Sequence, residues 1–451
     1  VQLLGIFMGV LLLWLFVAID WPSILLLGAL ALVPELSFNS VIASSYGNST
    51  FVFLMFTFIV TYALSRTSYL KRIALSFITS KIAQKGPWHF VILYSASIIF
   101  LGMFISPTVL FFVYLPIVEE ICAILKVKKG DKLGALLMMS TVIMCGISSG
   151  MTPIAHVFPL ISMGLYTDMY AKSIDYARYM IIAVPVGILC AALVLVSFKF
   201  FLRPDMNALN LFNAEKLKRE KGTVTFEEKL IMAVFVLVVC LWVLPGLLML
   251  VIKEGPFYAF LDWFDSLGTA MPPLIGTVLL CIIRVKQRPL LNIAEAMSKG
   301  VSWPSLVMCA GTLALGSALT NSDIGFTLWL SKNLAPFIDS VAPFIMVAIF
   351  ALWAAVQTNL SSNMVTATLV TTAALSITYG LDNISIPAIV IIIGMLASYS
   401  FATPPAMPCV AIAISSGYTS TMQMMVYGFL AMFIGVFFAV CVGYPLALCL
   451  F

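Results

Sequence analysis

Charge is what this sequence has least of. Only 10% of its 451 residues are Asp, Glu, Lys or Arg, whereas 62% are hydrophobic. A soluble chain of this length could not cover its surface with so few polar groups. Four stretches (90–116, 133–166, 340–381 and 383–451) contain no charged residue at all, which excludes a carboxylate proton relay inside them. Histidine is almost missing too, with only His89 and His156. No H-E-x-x-H, no paired aspartates and no serine beside a base occur in the apolar runs, so a membrane-embedded enzyme has no catalytic constellation to use. The nine cysteines lie scattered through apolar segments without a C-x-x-C pair, which argues against a zinc site or a disulfide framework. The net charge of +5 sits in short loops. That pattern is one of membrane topology, not of nucleic-acid binding.

What the sequence does have is apolar length. Runs such as 230–251 and 423–451 reach the roughly 20 residues that cross a bilayer, and about ten such runs leave no room for an attached soluble module. Val1 already lies inside an apolar run, with no signal-peptide n-region, so a preceding helix is expected. Spans are expected at 3–19, 23–36 and 51–64, followed by an amphipathic interfacial helix at 69–84 that carries Lys71, Arg72, Lys81 and, just beyond, Lys85. Two stretches, 91–125 and 133–165, are too long for one span and too short for two. A span at 179–201 precedes the polar linker 203–229. The plan then repeats with spans at 230–251, 266–283 and 303–319, a short amphipathic segment at 324–334, over-long stretches at 340–378 and 384–416, and a last span.

Basic residues set the orientation. With 91–125 taken as a hairpin that returns to its own side, one face holds five basic residues in 66–85, four in 126–132, seven in 199–229 and four in 284–299. Only Lys172, Arg178, Lys253 and Lys332 remain on the other face. Taking 91–125 as a single span would invert everything after it and break the positive-inside rule. The two halves therefore enter the membrane from opposite sides, which is an inverted-topology repeat.

The hairpin midpoints read Met103-Phe104-Ile105-Ser106-Pro107-Thr108 and Leu360-Ser361-Ser362-Asn363-Met364-Val365-Thr366. Non-helical backbone at membrane depth persists only where it is buried in protein or lines a cavity. Hydroxyls and amides at a tip satisfy that backbone and offer ligands to an ion or a carboxylate. The following stretches carry Thr152-Pro153-Ile154-Ala155-His156 and Thr403-Pro404-Pro405-Ala406. Proline at mid-span breaks the helix, and the new helix start turns its free N–H groups and positive dipole end toward the bilayer centre, a site for an anion. A lone Thr-Pro is more often a kink between packed helices. Two copies, each behind a polar tip at a similar interval, favour the site. His156 is open to two readings, an imidazolium that faces a dianion or a neutral ring bonded within the break. Asn48-Ser49-Thr50 is formally a glycosylation sequon.

These pieces resemble the divalent anion/sodium symporter family, the INDY-type dicarboxylate transporters, over essentially the whole chain. The likeness includes Leu64-Ser65-Arg66-Thr67-Ser68-Tyr69-Leu70-Lys71-Arg72 and Ala402-Thr403-Pro404-Pro405-Ala406-Met407-Pro408, with Ser415-Ser416-Gly417-Tyr418 after it. The resemblance implies an all-α polytopic homodimer in the cell membrane, with basic loops cytoplasmic and an elevator motion of a transport domain against a scaffold. By it, residues 1–66 and 230–322 are scaffold, 67–89 and 323–339 are interfacial arms, 203–229 is a linker, and 90–202 with 340–451 form the transport domain. It implies that Ser106, Pro107, Thr108, Ser362, Asn363 and Met364 occupy the two Ser-Asn-Thr tip triplets that contact a substrate carboxylate and help to hold sodium. Thr152, Pro153, Thr403 and Pro404 then complete the clamshells. Four positions depart from the pattern: Pro107 stands for Asn, Met364 for Thr, His156 for a small hydroxyl residue and Ala406 for Asn. Each change removes or blocks an oxygen that sodium would use, leaving Ser106, Ser362 and Asn363 as residual ligands. The expectation is sodium-independent exchange of C4 or C5 dicarboxylates, with no cofactor and His156 partly replacing the cation. Sodium-coupled symport of dicarboxylate, citrate or sulfate and an ion channel are the alternatives.

Overall fold

The structure, a computed structural model, describes residues 2–210, 224–321, 323–325, 341–381 and 384–451. Most of the second arm expected at 323–339, and residues 211–223 of the linker, lie outside the described residues.

The chain opens with α1 (Gln2–Phe16), α2 (Trp21–Leu30), α3 (Phe38–Ser44) and α4 (Ser49–Ser65). Asp20 accepts from the Trp21 amide and Pro22 sits in the first turn, so the Asp-Trp-Pro sequence starts α2 where the α1 run ends. The amphipathic helix is α5 (Tyr69–Ile78), shorter than its expected 69–84, with a separate 3₁₀ turn at Ala83–Lys85. Its buried residues Leu70, Ala74, Leu75 and Ile78 fall on one helical face.

Both over-long stretches of the first half are helix–break–helix units. α6 (Pro87–Gly102) turns through residues 103–106 into α7 (Pro107–Ile124). α8 (Lys132–Gly150) stops at mid-bundle, and after 151–156 the chain resumes as α9 (Val157–Tyr170). Every residue of α8 from Leu133 to Gly150 is buried, as a helix with no polar face requires. α10 (Tyr176–Ser197) continues through a π turn to Leu202.

The second half supplies α11 (Phe226–Val251), α12 (Pro256–Ser266), α13 (Met271–Ile282) and α14 (Trp303–Thr320). The span expected at 266–283 holds one helix, α13, and the preceding α12, which was not expected, is bent from it by 81°, with Gly268 at φ +86° in the break, where a residue without Cβ is free to turn left-handed. An all-α reading also misses one detail. Arg284–Val285 pairs with Arg288–Pro289 as a two-residue antiparallel ladder, because Lys286 and Gln287, both at positive φ, form a tight hairpin turn. The second hairpin is α15 (Pro343–Leu360) and α16 (Asn363–Ile377). The second broken helix is α17 (Ile386–Leu396) and α18 (Pro408–Ser415), and α19 (Thr421–Phe438) follows.

The halves interlock reciprocally. α9 packs on α16 and α17 of the second half, while α18 packs on α7 and α8 of the first. The late part of each broken helix is thus covered by the other repeat's hairpin. Six helices among the described residues are long and apolar enough to cross a bilayer, or nine if each of three bent pairs counts as one.

Basic segments gather at one end. There Arg66 pairs with Glu295 at 3.2 Å, the Ser68 amide donates to Glu228 at 2.6 Å, and Lys199 stands over the Trp88 ring at 5.7 Å. At the opposite end, Asn48 donates to Asp168 at 3.3 Å.

Candidate functional site

Each break must find partners for the carbonyls left over at the end of a helix. In the first half, the Tyr179 hydroxyl donates to Gly150 O at 2.8 Å. Thr152 Oγ1 donates to Met103 O at the hairpin tip and accepts from the Ile154 and Ala155 amides at 3.3 and 3.4 Å. In the second half, Thr403 Oγ1 donates to Asn359 O, which lies three residues before Ser362 as Met103 lies three before Ser106. Each threonine of a Thr-Pro pair therefore fastens its own hairpin tip. Removing the donor with Thr152→Val would strand the Met103 carbonyl, a loss of about 1–3 kcal/mol. The purified protein is expected to melt at a lower temperature, with Thr152→Ser close to wild type. Equal melting of the valine variant and wild type would refute this tie.

Asn359 was missed from the sequence and has the most bonds of any residue here. Its Nδ2 donates to Ala355 O at 2.9 Å and Tyr399 O at 2.7 Å, and its Oδ1 accepts from the Phe401 and Ala402 amides at 3.0 and 2.8 Å. It is fully buried. A carboxamide inside the charge-free 340–381 stretch was the available signal. Thr358 Oγ1, next to it, donates to Ala397 O at 2.6 Å.

Asn363 is buried in a related network. Oriented with Nδ2 toward the carbonyls, it donates to Thr358 O at 3.0 Å and Ala406 O at 3.3 Å, while Oδ1 accepts from Ser400 Oγ at 2.6 Å. Cys409, three residues past Ala406, has its Sγ 3.9 Å from Pro107 O. Residues 406–409 thus bridge the two hairpin tips, 256 positions apart in the chain by the Ser106 and Ser362 count. α7, α9, α16 and α18 all begin in this region, and no side chain caps α7, α16 or α18. Their first amides and positive dipole ends suit an anion.

A cleft of about 380 Å³ opens at the first tip. Ser106, Thr108, Ala155 and His156 form one wall, and Tyr62, Ser65, Lys299 and Ser302 belong to the other. Of the expected site residues, Ser106, Thr108 and His156 line it. Pro107, Thr152 and Pro153 are buried behind it, and Ser362, Asn363, Met364, Thr403 and Pro404 lie outside its lining. The Ser106 and Ser362 hydroxyls make no hydrogen bond among the described residues, and both are half-buried. His156 Nδ1 accepts from the Val157 amide at 3.0 Å. That nitrogen carries no proton in this arrangement, so the ring is neutral with Nε2 as its donor. Its ring stacks on Phe158 with centroids 3.9 Å apart. A second cavity of about 180 Å³ lies at the opposite end of α4, where Asn48, Asp168, Asp175 and Asp265 are among its lining.

Interrupted helices, polar hairpin tips and a cleft beside uncapped helix starts suit a multi-pass membrane transporter. The family model described as the sodium:sulfate symporter transmembrane region matches residues 1–451, and the chain belongs to that family. It is similar to the sodium-dependent dicarboxylate transporter SdcS of Staphylococcus saprophyticus, at 25% identity over 404 residues, covering 86% of this chain and 74% of the relative. The protein of that name from Staphylococcus aureus is 26% identical over 411 residues with the same coverage. The fold is similar to that of the YdaH transporter of Alcanivorax borkumensis, with a TM-score of 0.60 and 12% identity over 92% of this chain and 87% of that one. MtrF of Neisseria gonorrhoeae has a TM-score of 0.56 and 13% identity over 91% and 85%.

Proposed function

We propose that the chain carries C4 or C5 dicarboxylates of the succinate, malate, fumarate and 2-oxoglutarate type. Residues 406–409, which join the two hairpin tips around uncapped helix starts, are the observation that carries this reading. The hydroxyls of Ser106 and Thr108 and the Nε2 of His156 then meet one carboxylate in the cleft, and Ser362 stands at the other tip. Thr152, Pro153, Thr403 and Pro404 keep the breaks open, with Asn363 and Met364 packed behind. Hairpins and broken helices move together as a transport domain against α1–α4 and α11–α14, in a homodimer of the cell membrane with the basic end cytoplasmic. Relatives named as dicarboxylate transporters support the substrate class.

Coupling has two readings. Sodium-independent exchange is supported by the chain's own residues. Pro107 and Met364 supply no side-chain oxygen, and Asn363 donates to Thr358 and Ala406 while its Oδ1 accepts from Ser400. Sodium symport is favoured by the relatives' names, with Ser106, Ser362 and Asn363 or nearby carbonyls as oxygen ligands. Proteoliposomes separate them. Exchange requires that labelled succinate enter only vesicles preloaded with unlabelled dicarboxylate, at the same rate with sodium or choline outside. Uptake into empty vesicles driven by a sodium gradient would establish symport instead. The double change Pro107→Asn and Met364→Thr restores two side-chain oxygens and is expected to make uptake sodium-stimulated, by about tenfold if one charge-assisted contact is regained. No stimulation would show that these positions do not set coupling.

A further inference from the structure

Among the described residues, the cleft at the first tip has one formally charged residue in its lining, Lys299. It does not belong to either hairpin or broken helix. It sits in the π turn Ala296–Gly300 that leads toward α14, across the cleft from Ser106 and His156. The turn is held firmly. A Cβ on Gly300 would lie 2.6 Å from the Tyr62 side chain, so the turn is pressed against α4. Glu295, capped by Asn292 at 3.1 Å, accepts from Tyr62 Oη at 3.3 Å and Arg66 at 3.2 Å. Lys299 Nζ approaches the same carboxylate at 3.3 Å. One carboxylate thus faces two cations, and the group carries a net positive charge beside the cleft. With His156 neutral, no charged side chain on the hairpin wall of the cleft offsets a dianion.

Resting on the dicarboxylate reading above, we propose that Lys299 is a specificity-determining residue that selects and draws in dianions at this end of the protein, and that the Glu295 carboxylate partly neutralises its charge. Because Lys299 stands on the wall opposite the hairpin, it meets the substrate only when the hairpin faces this end. Its influence is therefore one-sided. The attraction acts across water at the cleft mouth, so salt screens it.

The test is uptake by oriented vesicles, with substrate offered at one face at a time and at low and high ionic strength, for wild type, Lys299→Gln and Lys299→Arg. At the basic face, Lys299→Gln is expected to raise KM for succinate about tenfold with kcat nearly unchanged and to abolish the salt dependence of KM. Lys299→Arg should restore both, and the other face should not respond. Unchanged KM and salt dependence, or equal losses at both faces, would overturn the proposal. Should Lys299→Gln not yield folded protein, Glu295→Gln decides. Release of the Lys299 charge should lower KM below wild type and steepen the salt dependence, and a KM at or above wild type overturns the role. Sulfate is the second substrate of the panel. Sulfate transport without succinate transport defeats the dicarboxylate reading, and the Lys299 comparison then runs on sulfate. Transport of neither dianion defeats both.

Discussion

Replacement of Asn359 by leucine is expected to abolish transport and to lower the melting temperature more than any other single change near the hairpin tips. Leucine keeps asparagine's branching and number of heavy atoms, so no cavity opens, and the hydrogen bonds are what the side chain loses. It strands Tyr399 O, Phe401 N and Ala402 N, all in the unwound link between α17 and α18. A buried unpaired group costs about 1–3 kcal/mol in proteins generally. Inside bilayers measured values are lower, about 0.6 kcal/mol on average, because the unfolded chain also finds partners. Three groups together then lose about 2–9 kcal/mol, a large part of any protein's margin. The link could regain partners only by rewinding into helix, which would pull Thr403 away from Asn359 O and close the space at the tips. Gln357→Leu is the control, since Gln357 is half-buried on the same helix and no hydrogen bond of its side chain occurs among the described residues. Succinate counterflow and thermal unfolding of detergent-purified protein give the answer. Near wild-type behaviour of Asn359→Leu would mean that the link is held by packing alone.

That bond set shows where sequence reading stops. The two hairpins and two broken helices were legible because bilayer thickness and helix rise turn length into a count, and a stretch of 35 residues fits no simple crossing. Ser106 and Thr108 were legible because hydroxyls in the middle of an apolar run need a reason. The direction in which each side chain points was not. Thr152 and Thr403 look like ligands in one dimension, yet in space each donates to a tip carbonyl. Asn359 lies four residues from Asn363 and gives the same signal in the sequence. Only the fold distinguishes the one that holds the link from the one that also reaches Ala406. Lys299 falls in a segment that counts only as a basic loop, and nothing local indicates that its turn leans on Tyr62. The helix α12 was hidden for a different reason, since Asp262 and Asp265 interrupt its apolar residues and leave a run that starts only at Ser266.

Enlarging Gly428 is expected to disturb the same link by a steric route. Gly428 and Gly435 lie two turns apart on one face of α19. A Cβ at Gly428 would stand 2.4 Å from Ala402 Cα and 2.8 Å from Ala402 Cβ, and one at Gly435 would stand 2.7 Å from the Tyr399 ring. Small residues let a membrane helix approach other backbone closely, and here the backbone approached is the unwound link. The obstacle at Gly428 is main chain, which cannot swing aside like a side chain. Gly428→Ala therefore costs about 1–3 kcal/mol by overpacking, against a gain of about 1 kcal/mol for replacing glycine inside a helix. Gly9→Ala, where nothing lies within 4 Å of the new Cβ, isolates that gain and should melt at or slightly above wild type. Gly428→Ala should melt below it, and Gly428→Leu should yield little folded protein. Transport is expected to fall further than stability in Gly428→Ala, because a shift at Ala402 moves Thr403, and through its bond to Asn359 O the displacement reaches the second tip. If Gly428→Ala matches Gly9→Ala in both melting and counterflow, the link does not depend on this close contact, and the hydrogen bonds of Asn359 alone must hold it in place.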